Sequence, residues 1–274
     1  MNFGQPESDD AMAVGASKIY RLENDNREYT YRLGNFSVLE HMADLSLRPS
    51  SAMPAYFMSE MGVHLRQLVI ALDGRSGVML QAGAMQWMLG DVNVKTGVKG
   101  VGDLFGKALR GKVTGESAIK PEYVGTGIVV LEPTYRHIIL EDVSAWGPSG
   151  IVVEDGMFLA CSDTVKHSVQ MRSNVSSAVG GGEGLFNLCM SGSGVAALEG
   201  RVPRDELVII DLTDDVLKID GHMAVAWSGS LSFTVERTTA SLVGSAASGE
   251  GLVNVYRGTG RVMMSPVASS LVVS

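Results

Sequence analysis

Three glutamates, Glu116, Glu183 and Glu250, recur at a constant spacing of 67 residues. Each sits in a short glycine-bearing motif: Gly115-Glu116-Ser117, Gly182-Glu183-Gly184 and Gly249-Glu250-Gly251. If that spacing reflects one unit repeated around an axis, the three carboxylates become equivalent. A ring of carboxylate oxygens is a ligand set for a hard cation such as calcium or magnesium. These three residues are therefore the candidate metal ligands of the chain. A simpler role is preferred: each carboxylate accepts backbone N–H bonds within its own glycine-rich turn, and a structural repeat preserves turn chemistry for packing reasons alone.

The elements that must position these glutamates repeat with them. Each motif is followed by a glycine doublet, Gly125-Thr126-Gly127, Gly192-Ser193-Gly194 or Gly258-Thr259-Gly260. Each doublet opens an apolar run: IVVLE, VAALE and RVMM. Upstream lie three related stretches, residues 67–88, 137–161 and 206–227, with glycines aligned at Gly83, Gly156 and Gly221. The apolar runs are short and bounded by Gly, Asp and Ser, and long 3.6-residue periodicity is scarce, which predicts strands joined by tight turns. Asp155-Gly156 and Asp220-Gly221 read as two-residue hairpin turns. Replacing Gly194 with Val is expected to disrupt folding, through steric conflict at a repeated tight site.

The predicted fold is all-β: a closed pseudo-threefold barrel or prism of three repeated units, with an N-terminal extension. Each unit leaves an apolar face that only its neighbours cover, and closing the ring removes exposed sheet edges. The expected division is an extension over 1–66 and one β domain over 67–274, its repeats spanning about 67–132, 133–200 and 201–266. Tyr29–Leu33, Gly34-Asn35 and Phe36–Leu39 read as a hairpin within the extension, placed to cover an edge or one end of the barrel. The first twenty or so residues are polar enough to be expected without order.

Glycine, at 33 of 274 residues, exceeds the usual ~7%, as a turn-dense chain requires. The net charge of −8 opposes broad attraction to nucleic acid or anionic lipid. Mean hydropathy is positive, yet no apolar run approaches the ~20 residues of a bilayer helix. Acidic residues in MNFGQPESDDAMAVG stand where a secretory or mitochondrial leader carries basic ones, so a cytoplasmic protein is expected. Cys161 and Cys189 lie in apolar strand patterns and give no disulfide framework.

The segments QAGAMQWM (81–88), VTGES (113–117), GTGIVVLEP (125–133), DGMFLAC (155–161), GEGLFN (182–187), IDGHMAVAW (219–227) and GEGLVNVYRGTG (249–260), in this order, resemble the mitochondrial biogenesis family named for altered inheritance of mitochondria. The resemblance covers about residues 67–266. It implies a pseudo-threefold β fold like that of the tryptophan RNA-binding attenuation protein (TRAP), and it carries over no catalytic residue.

Other motifs are weaker. Residues 98–113, VKGVGDLFGKALRGKV, place Val101, Leu104, Phe105, Ala108 and Leu109 at helical spacing, with Lys99, Lys107, Arg110 and Lys112 largely off that stripe. Weak peripheral contact with a membrane is one use for such a segment; a crossover packed on the barrel is the preferred one. Gly106–Lys112 approaches a phosphate loop, but Val113 replaces the Ser or Thr that holds magnesium. Gly192-Ser193-Gly194 matches a relaxed dinucleotide fingerprint yet opens a strand rather than a helix. His41, His64, His137, His167 and His222 lack zinc-site spacing, with His222 expected on a surface loop. Glu141-Asp142 and Asp214-Asp215 read as acids in solvated turns. The sequence assigns no catalytic residue and no cofactor. The expected function is a non-enzymatic structural or protein-interaction module, engaging an unidentified protein or another copy of itself. The alternative is binding of a small ligand or metal ion on the pseudo-threefold axis.

Overall fold

The structure is a computed structural model that describes residues 11–96, 120–171, 186–220, 223–237 and 252–267. Its elements are β1 (Ala11–Val14), β2 (Ser17–Tyr20), β3 (Arg27–Leu33), β4 (Phe36–His41), α1 (Ala52–Glu60), β5 (Leu65–Asp73), β6 (Val78–Leu80), β7 (Met85–Lys95) and β8 (Glu122–Leu131). There follow β9 (His137–Asp142), β10 (Ile151–Val153), β11 (Phe158–Ser162), β12 (Val165–Met171), β13 (Phe186–Gly192), β14 (Val195–Gly200), β15 (Val208–Asp220), β16 (Ala224–Ser228), β17 (Ser232–Arg237) and β18 (Leu252–Met264). The chain is all-β apart from one short helix and a few 3₁₀ turns among the described residues.

Two large sheets carry the structure. The first has nine strands in the order β3-β4-β5-β8-β6-β11-β14-β9, with β7 also paired to β8. Its end strands β3 and β9 lie against each other without a ladder between them, so the sheet nearly closes into a barrel. The second has seven strands, β12-β13-β10-β16-β18-β15, with β17 paired to β18. Both sheets are antiparallel throughout the described pairings.

The sequence of β5, LRQLVIALD, explains its place in the middle of the first sheet. A strand covered on one face alternates apolar and polar residues; one covered on both reads as a continuous apolar run. Leu68, Ile70 and Leu72 of β5 point into the core enclosed by the first sheet. Val69, on the opposite face, joins Leu39, Ile128 and Val130 in an outer cluster. Each such fully buried aliphatic side chain contributes about 1.5–3 kcal/mol. A second core spans both sheets, with Ile139, Phe158 and Cys161 from the first packed on Ile151, Met190 and Met263 from the second. A third lies in the second sheet around Trp227, Phe233 and Tyr256, whose rings stand 5.1–5.4 Å apart.

Several expectations change. The outer cluster is capped by β1 and β2, whose Met12, Val14 and Ile19 pack on it. Residues 11–20 are thus a hairpin, not an unordered tail; a few apolar side chains suffice because the sheet offers them an apolar platform. The hairpin of β3 and β4 turns at Gly34-Asn35 as expected, but β4 also pairs with β5 along its length and so extends the sheet. Asp155-Gly156 turns the chain without making a hairpin: β10 before it pairs with β13 and β16, while β11 after it pairs with β6 and β14. Likewise β15 and β16, which flank Asp220-Gly221, pair with β18 and not with each other. Turn chemistry specifies reversal of direction; the partner of each strand is decided by non-local packing. Gly194 is as tight as expected, at φ 129°, with space for a Cβ closed by Ser162 Cβ at 2.7 Å and Thr164 Oγ1 at 2.9 Å.

Candidate functional site

Glu116, Glu183 and Glu250 lie outside the described residues, as do the 98–113 segment, the Gly106–Lys112 motif, Gly221 and His222. The strands on either side of each glutamate are placed. Glu116 belongs to the connection from β7 to β8, whose register ends at Lys95 opposite Glu122. Glu183 joins β12 to β13, with Met171 opposite Phe186. Glu250 joins β17 to β18, with Arg237 opposite Leu252.

Where β3 meets β9 without pairing, the first sheet leaves a groove of about 580 Å³. That volume is within the range of small-molecule sites, roughly 300–1,000 Å³. Thr30 and Tyr31 form one wall, Ile138–Leu140 the other, and Arg66, His137 and Arg204 supply its nitrogen groups. Each polar group is positioned by strand register. Glu40 stands opposite Arg66 in the β4–β5 pairing, and its Oε1 accepts from Arg66 Nη2 at 2.8 Å and from His64 Nδ1 at 2.7 Å. The His64 Nε2 faces the Ser59 carbonyl at 3.1 Å. Both ring nitrogens are therefore within hydrogen-bond distance of an oxygen. Arg66 also donates to the carbonyls of His64 and Gly62, so the cluster ties the end of α1 to the sheet. Beneath it, buried Gln67 donates to the Leu131 carbonyl at 3.0 Å and to Gln86 Oε1 at 2.8 Å, and its own Oε1 meets His41 Nε2 at 2.9 Å.

His137, at the start of β9, is half-buried, and desolvation, with the Arg66 guanidinium adding to it, lowers its pKa to about 4. It is a neutral imidazole at pH 7. Arg204 is held by Glu141 through a 2.6 Å Nε–Oε1 bond, and Glu141 also accepts from Trp146 Nε1 at 3.2 Å. Hydrogen bonding to Glu141 raises the Arg204 pKa further. Glu141 is therefore a buried, paired strand residue rather than an acid in a solvated turn, because its end of β9 packs under Trp146. Asp142 does act in a turn, its Oδ1 accepting from Ser144 N–H at 2.9 Å. Asp214 and Asp215 fall in β15, where the ladder to β18 shifts register between Leu212 and Asp215. None of these polar pairings was legible in sequence, because each depends on which strands lie side by side.

A cysteine–histidine pair joins the two sheets: Cys161 of β11 stands 3.2 Å from His167 Nε2 of β12. Burial pushes the thiol up to about 12 and the imidazole down to about 4. A nucleophilic pair requires the opposite shift in the thiol. Here both partners are neutral and share one hydrogen bond, with Phe158 edge-on to the ring at 5.5 Å. Among the described residues no cluster of three or more His, Cys, Asp or Glu side chains is arranged to hold a metal ion.

The family model for mitochondrial biogenesis AIM24 matches residues 59–267, most of the chain, and the chain belongs to that family. Among solved structures it is similar to Protein SPYM3_0169 from Streptococcus pyogenes, determined by X-ray crystallography: 25% identity, 76% of this chain and 90% of that one covered, TM-score 0.55. No curated protein matches.

Proposed function

We propose that this member of the mitochondrial biogenesis AIM24 family is a non-enzymatic structural or protein-interaction module of the cytoplasm, built as three copies of one β unit about a pseudo-threefold axis in the TRAP-like manner. One observation carries the reading: three antiparallel strand pairs, β7–β8, β12–β13 and β17–β18, each enclose a connection bearing a glutamate at the 67-residue spacing, and each continues through a Gly-x-Gly step. The neutral Cys161–His167 pair and the internally matched Glu40–Arg66 and Glu141–Arg204 pairs support packing roles for the groups most suited to catalysis. Affinity purification of the tagged chain from native lysate, followed by mass spectrometry, tests the proposal. A protein partner recovered at constant ratio is expected; catalytic turnover of a small molecule by the purified chain would overturn it.

The groove between β3 and β9 favours a second reading, in which the fold holds a small ligand. The ion version of that reading places Glu116, Glu183 and Glu250 about the axis. Calcium or magnesium titration followed by thermal melting decides it, since an ion bound to the native state raises apparent stability. No rise in Tm at millimolar ion removes it.

A further inference from the structure

Helix α1 turns its apolar stripe the wrong way for a monomer. In a surface helix, apolar residues at i, i+3, i+4 and i+7 or i+8 face the core. Here Met53, Tyr56, Phe57 and the C-terminal Met61 have that spacing, and they are 73%, 60%, 60% and 80% exposed. The other side, with Ala55, Met58 and Ser59, rests on residues 41–44 and 63–65, pinned by the Ser59 hydroxyl donating to the Met42 carbonyl at 2.5 Å. Tyr56 and Phe57 hold each other edge-on at 5.6 Å, so the exposed face is ordered by its own contacts. No helix residue is buried, and among the described residues nothing packs over the stripe.

We propose that this stripe is a docking surface for a second copy of the chain, with two α1 helices packed antiparallel across a twofold axis. This rests on the interaction-module reading and names its partner. Area supports it: at roughly 150–250 Å² per large side chain, the four present about 500 Å². That is near the upper limit of apolar patches on monomers and about two-thirds of one side of a standard interface. Charge selects the partner. Residues 42–63 contain one basic residue, Arg48, and two acids, Asp44 and Glu60. A surface meant for anionic lipid needs basic residues around the apolar face, and this segment is acidic on balance. The stripe itself is uncharged, so two copies meet without repulsion. Antiparallel pairing carries Glu60 at the end of each helix toward the Arg48–Ser51 end of the other, where the helix N-terminus is partially positive.

Sedimentation velocity of the full chain from about 1 to 100 µM tests this, a range that detects dissociation constants of ~10 µM or tighter. The expected result is a concentration-dependent dimer. Tyr56→Glu with Phe57→Glu should abolish it while leaving the far-UV circular dichroism unchanged. Arg48→Glu should weaken it at least about tenfold, and Arg48→Glu with Glu60→Arg should restore it, which keeps the test valid if the first variant misfolds. A wild-type chain monomeric throughout overturns the proposal, as does an oligomer unchanged by these substitutions. So does a monomer that pellets with phosphatidylcholine vesicles. Each of these results leaves a heterologous partner recoverable from lysate, so failure here is separable from failure of the interaction-module reading.

Discussion

The two large sheets use the same strand chemistry under different degrees of cover. The nine-stranded sheet is buried on both faces around β5 and β8, with a core inside and the β1–β2 hairpin outside. The seven-stranded sheet leaves Val169, Val208, Ile209 and Val216 40–54% exposed, and among the described residues its long strand β15 pairs on one side only. The glycine doublets register this difference. At Gly125, φ is 124° and a Cβ would collide with the Asp91 carbonyl oxygen and lie 3.0 Å from its carbon, because β7 and β8 press together there. At Gly258, φ is 118° but a Cβ would meet only Leu231 at 3.8 Å and the Ser230 carbonyl at 3.9 Å. The first glycine of the motif is jammed in one sheet and merely twisted in the other; the second is tight in both, a Cβ at Gly260 lying 2.8 Å from Ser228 Cβ.

The largest effect that sharpens this contrast is expected at Gly125→Val. Backbone strain of about 1–3 kcal/mol adds to overpacking of about 1–3 kcal/mol, so the variant should lose ~4 kcal/mol or more and fail to accumulate as soluble protein. Soluble expression and thermal melting check it. A variant that melts within a few degrees of wild type would show that β7 and β8 separate without cost.

Arg66→Ala should follow, also in the first sheet. Arg66 and Glu40 have side-chain exposures of 7% and 14%, and removing one partner of a buried pair typically costs about 3–5 kcal/mol. Retention of His64 as a second donor to Glu40 places the expected loss near ~3 kcal/mol in urea denaturation. Arg66→Ala with Glu40→Gln should recover part of it, because the stranded charge is gone.

These two sites show what was legible beforehand. The Gly-x-Gly steps were visible as a repeat, since glycine is retained only where a backbone needs it, and the all-β class followed from short apolar runs. Family membership followed from seven motifs in order. Strand partners were not legible: Glu40 and Arg66 are 26 positions apart in sequence and meet only through the β4–β5 register. Helix α1 is not legible in sequence for a related reason. The run AMPAYFMSE carries no charged face to contrast with its stripe, so periodicity alone does not mark it. The hairpin signals at Asp155-Gly156 and Asp220-Gly221 misled because a turn codes for direction and says nothing of which sheet the next strand joins.

At the junction of the sheets the expected effect is smaller and depends on pH. His167 is neutral in the fold, with a pKa lowered to about 4 chiefly by burial and further by the Lys120 charge. The unfolded chain binds a proton near pH 6.5 that the folded chain refuses until about pH 4, so stability is full above pH 6.5 and falls as pH drops toward 4. Allowing for partial exposure, the loss is about 2 kcal/mol. His137 has the same sign and, being more open, a smaller share. Melting curves from pH 7 to 4.5 should fall more steeply for wild type than for His167→Gln. Equal slopes would remove the histidine from the account.

In the second sheet, Gly258→Ala keeps the strained φ but fills open space, for an expected loss of about 1 kcal/mol. If this variant proved as damaging as Gly125→Val, the difference in cover between the sheets would not be what sets the cost of the motif.

The smallest effect belongs to the surface counterpart of the Arg66 pair. Arg261 grips Asp211 across the β15–β18 ladder through Nε–Oδ1 and Nη2–Oδ2 contacts of 2.7 and 3.1 Å, a two-pronged geometry as good as any buried pair offers. Its side chains are nevertheless 40% and 64% exposed, and the guanidinium holds the Asp211 carboxyl below its ordinary range by hydrogen bonding first and charge second. Water already solvates both ions in the unfolded chain and continues to do so after folding, so the exchange gains little. Arg261→Ala should change stability by about 0.5 kcal/mol, an effect that shrinks further in 1 M salt, where the screening length is ~3 Å. The contrast with Arg66→Ala is then a matter of burial, since the contact distances are nearly the same. A loss at Arg261 that matched the one at Arg66 and persisted in high salt would mean that this face of β15 and β18 is covered in the working protein.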